Sequence, residues 1–323
     1  MGLVETFRGP VDASRLGPTL IHEHIFVRNP EVEVNLPDGE WDRSTAVESA
    51  VNGLADLYDQ GIRTVVDLTV PGLGRDVQLV NEVAERVSVN LVAATGWYTP
   101  NVLPPYFQFH GPGRMIDRPD PLISLFVGDI RDGIAGGRVR AGILKVMTDV
   151  DGVTPDVARI MTAAAIAHRE TGVSITTHSH PSSRNGLEQQ AYLTERGVDP
   201  GRIIIGHSGD SEDLDYLCQL MDNGSTLGMD RFGMEHVLSD ERRVRTLMSL
   251  LDRGYVGRIV LSHDAAFYSH ITPPSWRAAS APRWQMDNLS RTVIPMLLAA
   301  GVSSGDIDKM MIGNPRRLLE PAK

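Results

Sequence analysis

The sequence predicts a closed (β/α)8 barrel of the α/β class (a TIM barrel), on two observations. Eight short runs rich in β-branched residues alternate with amphipathic stretches, and each run is apolar at both parities. Strands buried on both faces belong to a parallel sheet covered by helices. The 323 residues, 41% hydrophobic, show no composition break and no internal repeat, so one domain over 1–323 is expected.

In chain order, strands are expected over 18–24, 63–69, 90–95, 142–146, 173–178, 202–207, 225–229 and 258–263. Between them, apolar residues recur at three and four over 44–60, 75–87, 155–171, 185–196, 213–223 and 240–253, the period of helices with one buried face. Several of these end on glycine (Gly61, Gly172, Gly197, Gly224, Gly254), a common helix stop. Two connections are long. One, 99–137, is interrupted by Pro104, Pro105, Pro112, Pro119 and Pro121; the other, 265–284, carries Phe267, Tyr268, Trp276 and Trp284 among further prolines. Both read as irregular loops with a function.

A formal charge of −10 argues against nucleic acid or an anionic membrane as partner and suits a small neutral substrate. The single cysteine, Cys218, excludes an internal disulfide and fits a reducing compartment. No apolar run is long enough to span a bilayer, and the first residues lack the apolar centre of a signal peptide, so a cytoplasmic location is expected.

Barrels of this kind place their chemistry at the C-terminal ends of the strands. In Thr19-Leu20-Ile21-His22-Glu23-His24-Ile25-Phe26-Val27, His22 and His24 share one face and Glu23 takes the other. Reading the remaining strand ends adds Lys145, His178, His207 and Asp264, so four of the ten histidines fall on one rim. Singly, each has another reading. His178 can cap its strand, with His180 the rival ligand on the same parity; His207 can be a turn residue before Gly209; Asp264 can open a helix. Jointly they read as a metal site.

Lys145 interrupts Gly142-Ile143-Leu144-Lys145-Val146, a barrel-interior pattern where a bare ammonium is costly to desolvate and is repelled by metals. Carboxylation of its amine turns that cation into an anion with two oxygens able to bridge two metals. A rival reading is a Schiff-base lyase using Lys145, which leaves the rim histidines without a role. Elsewhere, Asp67 reads as a hydrogen-bonded structural group, Gly72-Leu73-Gly74 as a chain reversal, and His263 as facing the helices. His110, His168, His236 and His270 read as loop or helix surface.

With these residues assembled, the chain resembles the phosphotriesterase family of the amidohydrolase superfamily, most closely its lactonase branch. The likeness runs from RGPVDASRLGPTLIHEHIFV through DLTVPGLGRD, AGILKVMTD, ITTHSH, GLEQQAYLTERGVDP, IIIGHSGD and LGMDRFG to LSHDA and GNPRRLLE. It implies a binuclear site with His22, His24 and Asp264 on a buried metal, His178 and His207 on an exposed one, and N6-carboxylated Lys145 bridging both. Zinc is the first candidate, with cobalt, manganese or iron as others. The resemblance further implies that Arg231 and Tyr98 face the substrate. One departure concerns Gly96-Trp97-Tyr98-Thr99-Pro100, where lactonases of this type often have Gly-x-Tyr-x-Tyr; Pro100 replaces the second tyrosine.

The expected activity is hydrolysis of acyl-homoserine lactones or related lactones, hence quorum quenching, by attack of a hydroxide bridging the metals. Asp264 would move the proton to the ring oxygen and Tyr98 would be a second donor to the oxyanion. Weak phosphotriester hydrolysis is expected beside it, and the alternative is a phosphotriesterase acting mainly on organophosphates. A twofold homodimer is the expected assembly. The aromatic segment 265–284 and the stretch 104–109 are expected to line a channel for the acyl chain.

Overall fold

The computed structural model describes residues 2–36 and 39–322. Eight strands form the barrel: β1 (Thr19–Val27), β2 (Thr64–Asp67), β3 (Asn90–Gly96), β4 (Ala141–Met147), β5 (Ile175–His178), β6 (Ile203–Ile205), β7 (Thr226–Met229) and β8 (Ile259–Leu261). Each pairs in parallel with its neighbour in sequence. After β8 the chain runs along β1, where Asp264 N–H donates to His22 O at 3.0 Å and His24 N–H to Ala265 O at 2.8 Å. A ninth strand, β9 (Ala266–Ser269), then pairs in parallel with the upper half of β1, placing Ala266 beside His24. This seam closes the (β/α)8 barrel.

Alternation divides the core into two layers. Val65, Leu91, Leu144, Ile175, Ile203, Ile205, Ile259 and Leu261 pack outward with the helices. Val66, Val92, Ile143, Ile204 and Val260 pack inside the barrel with Ile21. The N-terminal hairpin of Leu3–Val4 and Val11–Asp12 adds Val4 to that inner layer, the turn after it adds Ala13 and Leu16, and Leu318 and Leu319 complete it. Burying one Leu or Phe side chain contributes roughly 1.5–3 kcal/mol. The continuous outer layer is therefore the main source of stability, and it leaves the upper rim free to carry polar groups.

All eight expected strands and six expected helices are present, the helices as α1 (Arg43–Asp59), α2 (Val77–Ala84), α4 (Pro155–Thr171), α5 (Gly186–Thr194), α6 (Leu214–Asp222) and α7 (Asp240–Leu251), with α3 (Pro121–Arg131) in addition. The connection 99–137 is thus less irregular than expected. Pro121 stands at the first position of α3, where its missing N–H costs nothing, and Asp120 caps the helix by accepting from Leu122 N at 3.0 Å. Segment 265–284 likewise holds β9 and a short helix, Pro274–Ser280.

His168 is not surface. It is buried near the end of α4, and its Nδ1–H donates to Val173 O at 2.7 Å across the turn at Gly172. Cys218 is half-buried against the core. Among the described residues no helix is long and apolar enough to cross a membrane.

Candidate functional site

A register shift on β1 between Leu20 and Glu23 sets the site's floor. Leu20 packs outward and Ile21 inward, and the shift lets His22 face inward as well. His24 then shares the lumen with His22, and the Glu23 carboxylate turns away from it to Ser262 and His263. Lys145 lies across the lumen on β4, with Nζ 3.0 Å from His22 Nε2. His178 ends β5, and His207 and Asp264 follow β6 and β8 in left-handed conformations, at φ 61° and 56°. Such backbone is unfavourable for non-glycine residues by roughly 1–2 kcal/mol and persists where surrounding contacts enforce it.

Asp230, directly after β7, was not among the expected site residues, and it orders two of them. Its Oδ2 accepts from His22 Nδ1–H at 2.7 Å; its Oδ1 accepts from His207 Nδ1–H at 3.0 Å and from His207 N–H at 2.7 Å. Burial pushes the Asp230 carboxyl up, but His207 and His22 outweigh it and hold it far below the usual range. Room for this carboxylate comes from Gly228, where an added Cβ would lie 2.5 Å from Asp230 Oδ2. Asp67 has a similar duty beyond its structural one. Its Oδ1 accepts from Thr69 Oγ1 at 2.6 Å, which leaves that hydroxyl oxygen to accept from His24 Nδ1–H at 2.9 Å.

These bonds fix the tautomers, since each Nδ1 carries the proton and each Nε2 a lone pair. The His22 and His24 Nε2 atoms then face Asp264 Oδ1 at 3.3 and 3.2 Å. Three acceptors converge beside the Lys145 amine, an arrangement that suits a cation. The same excess raises the His22 imidazole above its ordinary value: burial and Lys145 push it down, and Asp230 and Asp264 more than reverse them. His207 Nε2 lies 2.8 Å from His178 Nδ1. Burial lowers His207 to about 4 and, with His207 beside it, holds His178 well below the ordinary histidine value. Both are neutral at pH 7, the form that ligates metals. Ligand atoms of His22, His24 and Asp264, and of His22, His207 and Asp230, lie within 4.8 Å of one another in each set, so the residues fit a metal centre.

Arg231 and Tyr98 stand over this cluster. Arg231 Nε–H donates to Asp264 Oδ2 at 3.0 Å and Nη1–H to Asp210 Oδ2 at 3.0 Å. Burial pushes the guanidinium down, the two carboxylates reverse it, and the group stays charged. Burial would also raise the Asp264 carboxyl, but His22 and His207 hold it well below the carboxylate range. The Tyr98 ring meets His178 edge to face at 5.6 Å, and its hydroxyl is pushed up to about 12 by burial and by Asp264.

A cleft of about 320 Å³ opens above these groups, walled by Val27, Leu73, Met234, Val237, Ile271 and Trp284. Leu73 comes from the Gly72-Leu73-Gly74 turn, which therefore does more than reverse the chain. Segment 265–284 contributes to the wall as expected. Residues 104–109 do not: Tyr106 and Phe109 are exposed, and Phe107 packs under Trp97 at 4.7 Å. His180 turns away from the cluster to Ser183, leaving His178 as the β5 histidine at the centre.

The fold and this cluster belong to metal-dependent hydrolases of the phosphotriesterase type. The family model described as "Phosphotriesterase family" matches residues 2–319, and the chain belongs to that family. It is 42% identical over 317 residues to a phosphotriesterase homology protein of Mycobacterium tuberculosis, covering 98% of this chain and 97% of that one. To an aryldialkylphosphatase of Saccharolobus solfataricus it is 38% identical over 309 residues, covering 95% and 96%. The solved structure titled as the phosphotriesterase from Mycobacterium tuberculosis superposes with a TM-score of 0.96 at 42% identity, covering 99% of this chain and 98% of that one. Membership in a hydrolase family leaves the Schiff-base reading of Lys145 without support.

Proposed function

We propose that the chain is one barrel domain that hydrolyses acyl-homoserine lactones or related lactones. His22, His24 and Asp264 would hold one divalent ion, His178 and His207 a second, and N6-carboxylated Lys145 would join them. The converging acceptors support the first set. Lys145 supports the bridge: it is buried, and among the described residues no carboxylate lies within 4.0 Å of its Nζ. Such ions lower the pKa of a bound water and polarise an ester carbonyl.

The protein's own groups divide the remaining work. Asp264 uses Oδ1 toward the histidines, so Oδ2 is the oxygen that receives the proton of the attacking water and delivers it to the ring alkoxide. Arg231 stays cationic and is no proton carrier; it fixes Asp264 and offsets charge on the leaving oxygen. Tyr98 keeps its proton at neutral pH and donates to the oxyanion.

The observation that carries this reading is the cleft, whose aliphatic and aromatic wall runs up from the cluster and offers apolar surface to an acyl chain. Phosphotriester hydrolysis is the second reading, favoured by the relative named aryldialkylphosphatase. Comparing kcat/KM for N-acyl-homoserine lactones and diethyl 4-nitrophenyl phosphate separates the two. Lactones are expected to lead by about 100-fold, ~2.7 kcal/mol of transition-state binding, with both activities lost on chelation. Faster turnover of the triester would reverse the assignment. Zinc as the metal, a twofold dimer, a cytoplasmic location and a role in quorum quenching go with this reading. Metal analysis and sedimentation of one preparation check the first two.

A further inference from the structure

We infer that Glu23, the residue between the two β1 histidines, is a positioning residue that holds Asp264 in its ligating place through a buried hydrogen-bond clamp. The inference rests on the proposed role of Asp264 as a metal ligand. Glu23 is fully buried on the face of β1 opposite His22 and His24. Its Oε1 accepts from Ser262 Oγ at 2.7 Å, from His263 N–H at 2.9 Å and from His263 Nδ1–H at 2.6 Å. Its Oε2 accepts from Ala265 N–H at 3.0 Å. Among the described residues no lysine or arginine lies within 4.0 Å of it. All four donors belong to 262–265, the four residues that contain Asp264.

That convergence has a local purpose. Asp264 has φ 56°, a left-handed conformation less favourable than the usual ones for a non-glycine residue, and the clamp grips the residues on both sides of it. The main chain of β1 completes the grip from the lumen side, where His22 O accepts from Asp264 N–H at 3.0 Å. His263 extends the clamp outward. Leu289 N–H donates to its Nε2 at 2.9 Å, which leaves the proton on Nδ1 for Glu23, and its carbonyl accepts from Trp284 Nε1–H at 2.8 Å. Trp284 lines the cleft, so one carboxylate orders both the ligand Asp264 and part of the substrate wall.

The test is zinc-binding equilibria in a double-mutant cycle. Glu23→Gln is nearly isosteric, but its amide sets an N–H donor against one of the clamp's donors. It is expected to weaken one of the two zinc equivalents by roughly 10–100-fold and leave the other unchanged. In the Asp264→Asn background the same substitution is expected to add no further loss, because Glu23 acts through Asp264. Glu23→Asp, which keeps the charge but draws the carboxylate back from 262–265, follows the same pattern and decides the matter if Glu23→Gln does not fold. Native affinity in Glu23→Gln, or a full additive loss in the Asp264→Asn background, overturns the inference. If Asp264→Asn alone leaves both equivalents untouched, the ligand role of Asp264 fails, and the inference falls with it.

Discussion

Lys145→Met is expected to lower kcat/KM by about 1,000-fold or more, ~4 kcal/mol, and to reduce bound metal from two ions per chain to one or none. Methionine matches the length and apolar stem of lysine, so the barrel interior stays filled. What disappears is the amine. As a lysine it is an unusual occupant, because its Nζ is buried beside His22 and, among the described residues, no carboxylate lies within 4.0 Å of it. Burial brings the ammonium down to about 8, only partly offset by Asp264 and Asp230, so a useful fraction is the neutral amine that reacts with carbon dioxide. The metal-free variant is expected to unfold at the same temperature as the native chain or higher, since it no longer buries a charge. Metal content, turnover and thermal unfolding of the two proteins check this. A methionine variant that kept two ions and its activity would show that the lysine bridges nothing.

Asp230→Asn is the second large effect, although the proposed Asp230 role places it outside direct contact with substrate. Its two oxygens now accept from Nδ1–H of both His22 and His207. An asparagine offers one acceptor and one donor, so one histidine must move its proton to Nε2 and lose the lone pair needed for a metal. A fall of roughly 10–100-fold in the affinity for one ion is expected, with a matching loss of turnover at limiting metal. Asp230→Ala should be worse for folding as well, since it leaves three buried N–H groups unpaired, at about 1–3 kcal/mol each. Titration calorimetry with zinc reads the first effect and chemical denaturation the second. Native affinity in Asp230→Asn would mean that the tautomers are set by something else.

Much of this was legible in the sequence because strand alternation and strand ends are local signals. Val65 and Val66, or Ile203, Ile204 and Ile205, divide between the two core layers as a period of two requires. Asp230 was equally legible, since Leu227 and Met229 pack outward and put Gly228 and Asp230 inward. Other features were not local. Alternation from Ile205 would turn His207 outward, and only a left-handed backbone brings it in. The β1 register shift depends on pairing with β2, which no single strand announces. Pro121 looked like a break because proline ends helices more visibly than it starts them. The cleft wall needs Trp284 tied to His263 across 21 residues, a tertiary contact without a sequence period.

The proposed pair of cations joined through Lys145 is tested most directly by anomalous diffraction at the zinc edge, from crystals grown with zinc and bicarbonate. The account predicts two anomalous peaks within the ring of His22, His24, His178, His207 and Asp264, with density for a carboxyl group extending Lys145 Nζ between them. A single peak or none, with Lys145 ending at its amine, would contradict it.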